Sequence, residues 1–274
     1  MKLKDLNELA NVDIEAVSLE EIAFLVAREK YADLNVQPYQ ERLDEFARRA
    51  KLRIDQVVGG RQVADGLSRY LFEEEGFRGN TSEYYSPSNS FFNDVLDQRE
   101  GIPITLSILY IAIGRRLNLP VTGVGFPGHF LVRYDDPRDV FFIDPFHRGR
   151  ILTQEDCRQR LSDMYGDALP FRDEFLYPSR HREILLRLLA NLKMIYMTKK
   201  DFPIALQILN RILLFNPYGT EEVKERGMIY YQMECFGQAL KDLESYLTRI
   251  PTAPDRLVIE ECIEDLRSKV AQIH

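Results

Sequence analysis

Cysteine is scarce in this sequence, with 3 residues in 274, and no two of them have CxxC spacing. Neither a disulfide framework nor a zinc knuckle is therefore predicted. Hydrophobic runs are short as well, since the longest, from Ile102 to Gly114, is closed by two arginines and cannot span a bilayer. The opening residues MKLKDLNE lack the apolar core of a secretory signal. We expect a soluble protein of the cytoplasm.

An excess of basic residues is also missing. The 36 Lys and Arg residues and 43 Asp and Glu residues give a net charge of −7. This balance argues against nucleic acid and membrane as partners, because both call for a basic surface. The GxxxxGK[ST] phosphate-binding loop does not occur in the sequence. We therefore predict no cofactor.

Apolar residues at helical spacing dominate the first part of the chain. From Ile104 to Leu117 they cover almost the whole circumference of a helix, which predicts a buried helix. Short β-rich runs follow it. Together these patterns predict an α+β domain with N-terminal helices and an antiparallel sheet, against which the buried helix packs. The other predicted elements are helices at 19–53, 57–77 and 91–99 and strands at 121–126, 129–134 and 140–144.

The last hundred residues contain an internal repeat with an offset of 34 residues. This period, with a small residue where two helices cross and a proline at the end, resembles the tetratricopeptide repeat. It predicts an all-α region of helical hairpins. A looser stretch at 166–179 is the predicted boundary, which divides the chain into 1–178 and 179–274. The repeated positions are Phe202, Ala205, Leu206, Leu209 and Pro217, matched by Phe236, Ala239, Leu240, Leu243 and Pro251.

Two polar residues in the strand region suggest a functional pair. If the hairpin pairs residues whose numbers sum to 273, His129 faces Asp144 directly and shares a face with it. An aspartate hydrogen-bonded to one imidazole nitrogen fixes the tautomer and leaves the other nitrogen as a base. The alternative is a partly buried histidine that any nearby acceptor satisfies. The pair by itself favours this alternative.

Four motifs occur in a fixed order along the first part of the chain: NSFFNDVL from Asn89, GIPITLSILY from Gly101, GVGFPGHFLVRY from Gly123 and IDPF from Ile143. They resemble the SirB family of bacterial proteins, a branch of the transglutaminase-like superfamily whose members often carry C-terminal tetratricopeptide-like repeats. The resemblance implies a transglutaminase-like fold, of the papain-like cysteine-protease type, in residues 1–178. Active superfamily members have Gly-x-Cys at the start of a buried helix, a His on the next strands and an Asp before Pro. By position, His129 and Asp144 match, whereas Pro103 stands where the Cys is found.

With no cysteine at the helix start, other groups become candidates. Thr105 and Ser107 lie on the same helix and are alternative nucleophiles, although hydroxyls near a helix start more often cap it or bond to the backbone. A metal site is a further alternative, because His129, Asp144 and His147 offer a His/His/carboxylate set. The favoured interpretation of His147 is a surface histidine in a turn, so no metal is predicted.

These features leave two functional hypotheses. The first is a non-catalytic interaction protein, with a regulatory role, that keeps the scaffold and uses its cleft or its repeats to hold a peptide or protein partner. The alternative is a hydrolase or acyl transferase acting on peptide or amide bonds, with His129 as base, Asp144 as orienting group and a nucleophile other than cysteine. The missing thiol favours the first hypothesis, so the chain is predicted to be a pseudoenzyme.

Overall fold

Two compact units make up this computed structural model, which describes residues 3–136 and 138–273, without the side chain of Ile273. The first unit extends to Leu188 and the second begins at Leu189. This division falls inside a helix, ten residues after the predicted boundary. The boundary at 178 stays a prediction.

Helices make up most of the first unit, and short strands supply its sheet. A small parallel pair, β1 and β2, lies apart from a four-stranded antiparallel sheet of order β3-β4-β5-β6. The elements in chain order are α1 (Leu6–Leu9), α2 (Leu19–Arg28), α3 (Gln37–Ile54), α4 (Gly60–Arg69), β1 (Arg78–Gly79), α5 (Phe92–Gln98), β2 (Glu100–Gly101), α6 (Pro103–Arg116), β3 (Val121–Val124), β4 (Leu131–Asp136), β5 (Asp139–Asp144), β6 (Arg150–Leu152) and α7 (Gln154–Tyr165).

Helix α6 is the buried centre of the first unit. Every residue from Pro103 to Gly114 is buried, and the helix packs against α2, α3, β3 and β4. A helix without a polar face is stable only when it is buried on all sides. Each Å² of apolar surface removed from water contributes about 25 cal/mol of stabilising free energy. The prediction of a buried helix beside the sheet is confirmed.

The hairpin of β4 and β5 carries the candidate residues, and its register differs from the prediction. Val132 pairs with Ile143, so the paired numbers sum to 275 and not 273. The hairpin is tighter than predicted, since Asp136 still pairs with Asp139. His129, predicted to begin the strand, lies two residues before β4. A slip of two residues leaves every side chain on its predicted face, because side chains alternate along a strand.

Helix α7, which the sequence analysis did not predict, covers the sheet. It begins with a capping box, in which Thr153 and Asp156 each bond to the other's backbone N–H. Cys157 and Leu161 on this helix are buried in a cluster with residues of the sheet, among them Phe142. Burial raises the pKa of the Cys157 thiol to about 12, so this cysteine is an inert core residue.

Helical hairpins form the rest of the chain. The second repeat copy places Gly227 where a Cβ atom would lie 2.8 Å from a methyl carbon of Leu243, so only glycine allows this close crossing. The equivalent residue of the first copy, Lys193, instead forms an ion pair with Glu225. Among the described helices, none has the length and apolar character needed to cross a membrane. The helices are α8 (His181–Thr198), α9 (Phe202–Phe215), α10 (Thr220–Gln232), α11 (Phe236–Arg249) and α12 (Arg256–Ile273).

Candidate functional site

The candidate residues meet where the turn before β4 approaches the end of β5. Gly128 has a φ of +67°, a left-handed conformation that favours glycine. The turn is closed by the backbone N–H of His129, which donates to the carbonyl of Phe126 over 3.0 Å. Asp144 is the last residue of β5, and Pro145 begins the short 3-10 turn that follows it. The ends of the hairpin thus bring the imidazole and the carboxylate together.

The Asp144 carboxylate accepts hydrogen bonds from three side chains although it is only 1% exposed. Its Oδ1 atom lies 2.8 Å from Nε2 of His129. Its Oδ2 atom lies 2.8 Å from Nδ1 of His147 and 2.5 Å from Nη1 of Arg160. The backbone N–H of His147 also donates to Oδ1 over 3.3 Å. Both carboxylate oxygens are therefore occupied.

Burial and hydrogen bonding act in opposite directions on the pKa of Asp144. Burial alone raises this pKa, but hydrogen bonds from His129, His147 and Arg160 outweigh burial and hold the pKa well below its usual range. The carboxylate is therefore ionised at neutral pH and can only accept. Both imidazoles must donate to it, which leaves Nδ1 of His129 with a free lone pair. No side chain in the described residues donates to that nitrogen.

The surroundings of His129 favour the neutral form of its imidazole. Burial lowers its pKa, and the nearby charge of Arg160 lowers it further, while the hydrogen bond to Asp144 acts to raise it. The net direction is downward from the ordinary value of about 6.5. The ring of Phe146 packs edge-on against the imidazole, with 6.1 Å between centroids. A proton taken up by His129 is therefore poorly stabilised.

The three residues considered for a metal site are close together in the structure. The ligand atoms of His129, Asp144 and His147 all lie within 4.8 Å of one another. The guanidinium of Arg160 already donates to the carboxylate, however, and its positive charge opposes a cation at that position. His147 is 51% exposed and lies in a turn. Its hydrogen bond to Asp144 was not predicted from the sequence.

A groove of about 330 Å³ opens on the His147 side of the carboxylate. Arg150, Asp156, Arg160 and Asp163 line it, so its walls carry both acidic and basic groups. The groove gives solvent access to His147, whereas His129 is 8% exposed.

Comparison with known proteins identifies the family. Residues 37–190 match the family model of the transglutaminase-like superfamily, and residues 192–264 match a tetratricopeptide repeat model. A UPF0162 protein of Xylella fastidiosa is 34% identical over 98% of this chain and 96% of its own length. The chain belongs to the SirB1/UPF0162 family of transglutaminase-like proteins. The resemblance stated from the motifs, and the α+β fold with a repeat region, are confirmed.

Other members of the family are similar over most of their length. A UPF0162 protein of Pseudomonas aeruginosa is 30% identical over 85% of this chain and 85% of its own. Protein SirB1 of Salmonella typhimurium is 26% identical over 88% of this chain and 90% of its own. The similarity therefore extends through the domain and into the repeats, and none of these names states a reaction.

In this member of the SirB1/UPF0162 family, the two hydroxyls on α6 are not hydrogen-bonded to the candidate imidazole. Thr105 Oγ1 accepts the backbone N–H of Ile102 over 3.1 Å and donates to the carbonyl of Asn89 over 2.8 Å. It therefore caps the helix that Pro103 begins. Ser107 Oγ is fully buried and has no hydrogen-bond partner within the described residues.

Two arginines that the sequence analysis did not single out complete the site. Arg160 projects from α7, which the Thr153-x-x-Asp156 capping box could have revealed. Arg187 projects from α8, and its Nη2 atom donates to the carbonyls of Phe126 and His129. It fixes the turn that carries the imidazole. No local sequence pattern points to this contact, because it joins positions about sixty residues apart.

Proposed function

We propose that the protein is a non-catalytic interaction module, in which a transglutaminase-like scaffold and a repeat region hold a peptide or protein partner. The observation that carries this proposal is the state of the site. The helix start offers Pro103 where the motif of active members has a thiol, and the Asp144 carboxylate is shared among three side chains. The hydrogen bond between His129 and Asp144 then has a structural role.

The electrostatics of the pair support this proposal. A general base must hold a proton during the reaction, so its partner carboxylate should stabilise the imidazolium. Here the charge of Asp144 is already shared with Arg160, and burial lowers the pKa of His129. Proton uptake by His129 is therefore opposed where catalysis would need it favoured.

The repeat region supports partner binding independently of the site. Tetratricopeptide repeats generally present helical surfaces to extended segments of partner proteins. Met194 and Met197, one turn apart on α8, are 54% and 36% exposed. Methionine adapts its shape to varied apolar partners. Exposed apolar side chains on a repeat helix suit a surface that receives a partner.

We place the protein in the cytoplasm and assign it a regulatory role within this proposal. Its three cysteines are free, which suits a reducing compartment. The competing hypothesis, a hydrolase or acyl transferase, draws on the free Nδ1 lone pair of His129. It still needs an oxygen nucleophile near that nitrogen, and neither Thr105 nor Ser107 is hydrogen-bonded to it.

A turnover assay separates the two hypotheses. Wild type, His129→Ala and the surface control Asp65→Asn, an exposed carboxylate on α4, are compared on a broad panel of peptide and amide substrates. We expect all three to match the buffer blank. A wild-type rate that falls by a factor of about 10² to 10⁴ in His129→Ala, and stays unchanged in Asp65→Asn, would show general-base catalysis and overturn the proposal.

A further inference from the structure

Arg187 is a partly buried cation without an acidic partner. Its Nη2 atom donates to the carbonyl oxygens of Phe126 over 3.0 Å and His129 over 2.5 Å. Within the described residues, no Asp or Glu side chain forms an ion pair with this guanidinium. A buried charge is costly unless an opposite charge compensates it, and two carbonyl dipoles replace a carboxylate only in part.

The rest of the guanidinium is available to a ligand. Arginine has five N–H groups, and Nη2 uses two of them. The N–H groups of Nη1 and Nε have no hydrogen-bond partner in the described part of the chain. Gly125 lies next to Nη1, and a Cβ atom at this glycine would stand 3.3 Å from it. Because position 125 is a glycine, no side chain from this position covers the free donors.

Aromatic side chains surround the guanidinium. The ring of Phe130 lies 5.6 Å from the Arg187 guanidinium carbon. The phenol oxygen of Tyr165 reaches the same turn, since a Cβ atom at Gly128 would lie 2.7 Å from it. Burial lowers the pKa of the guanidinium, and Tyr84 and Tyr165 act to raise it. Both tyrosines are partly exposed, at 37% and 38%. Burial raises the pKa of Tyr84, so its phenol is neutral and can donate a hydrogen bond.

We propose that Arg187, flanked by Tyr84 and Tyr165, forms a binding site for a peptide carboxylate. The inference rests on the proposed function, because it assigns a ligand class to an interaction module. Arginine with neighbouring phenol donors matches the hydrogen-bonding needs of a carboxylate. The exposed aromatic surface accepts an apolar or aromatic side chain next to it. The carboxylate belongs to the peptide C-terminus or to an acidic side chain, which share this chemistry.

Three small probes test the site on the full-length protein. N-acetyl-phenylalanine carries a terminal carboxylate, N-acetyl-phenylalanine amide lacks any, and N-acetyl-glutamate α-amide carries a side-chain carboxylate. Binding is followed by NMR, from the Arg187 Nε–H resonance and the His129 imidazole. We expect one of the two carboxylates to bind at least about tenfold more tightly than the neutral amide, and the tighter one identifies the source. Equal binding of all three, or binding of none, would overturn the inference.

Variants locate the binding. Arg187→Met should lower the affinity for the preferred carboxylate at least about tenfold, whereas Arg158→Met, an exposed arginine on α7, should leave it unchanged. If Arg187→Met does not fold, Gly125→Ala replaces it, since the added methyl group fills the space beside Nη1 and should weaken binding. Wild-type affinity in both substitutions at the site would overturn the inference.

The two proposals fail in different ways. Turnover that depends on His129 would overturn the interaction module and leave the carboxylate preference at Arg187 intact. Equal binding of acid and amide, without turnover, would overturn only the assignment of the ligand class.

Discussion

Replacing Asp144 by asparagine tests the central polar contact of the first unit. The side chain keeps its size but loses its charge, and one of its two oxygens becomes an amide NH₂ group. Oδ1 accepts from His129, and Oδ2 accepts from both His147 and Arg160. Whichever position the NH₂ group takes, it faces at least one donor.

The size of the effect follows from these contacts. A hydrogen bond to a charged group contributes about 1.5 to 3 kcal/mol, and removing one member of a buried ion pair costs about 3 to 5 kcal/mol. Asp144 is 1% exposed, but Arg160 and His147 are 25% and 51% exposed and can regain water. We therefore expect Asp144→Asn to lower the free energy of unfolding by about 3 kcal/mol.

Urea denaturation at pH 7, followed by far-UV circular dichroism, measures this loss. Dichroism is the suitable probe because the sequence contains no tryptophan. Asp163→Asn is the matched control, since this exposed carboxylate accepts a hydrogen bond from Gln159 on its own helix and from no other side chain among the described residues. The control should stay within about 0.5 kcal/mol of wild type. A loss of under about 1 kcal/mol in Asp144→Asn would refute the view that this carboxylate holds the site together.

Three further predictions concern the same site. The pKa of His129 in the folded protein lies below the unfolded value of about 6.5, so the free energy of unfolding should decrease as the pH drops below 6.5, by at most about 1.4 kcal/mol per pH unit. NMR titration of the imidazole measures the folded pKa, and a midpoint above 6.5 would contradict the prediction. Because position 103 is buried and proton uptake by His129 is opposed, the thiol of Pro103→Cys should react with iodoacetamide no faster than the half-buried Cys235 and Cys262. A rate at least about tenfold faster, lost again in the double variant with His129→Gln, would show that the site can activate a thiol. A fragment ending at 178 lacks Ser179 and Arg187, which hydrogen-bond to the turn before β4. Its free energy of unfolding should be at least about 2 kcal/mol lower than that of a fragment ending at 198. Equal free energies of unfolding would support a domain that ends at 178.

The sequence suggested the pair although the predicted register at the hairpin was wrong by two residues. His129 contacts Asp144 from the turn before β4, and strand alternation does not extend to this turn. The turn closed between Phe126 and His129 therefore brings the imidazole to the end of β5. The exact register depended on the tightness of the turn between Asp136 and Asp139, which the sequence around it did not fix.

The sequence by itself determined the buried helix α6, the antiparallel strands that follow it and the 34-residue repeat, and it suggested His129 and Asp144 as a pair. These features depend on local periodicity and on short motifs, which residues close together in the sequence encode. Only the tertiary structure decided that Arg160 shares the carboxylate and that Arg187 holds the turn without an acidic partner. Both contacts join the hairpin to helices that are distant in the sequence. The partner of a charged side chain in such a contact depends on tertiary packing, which local sequence patterns do not specify.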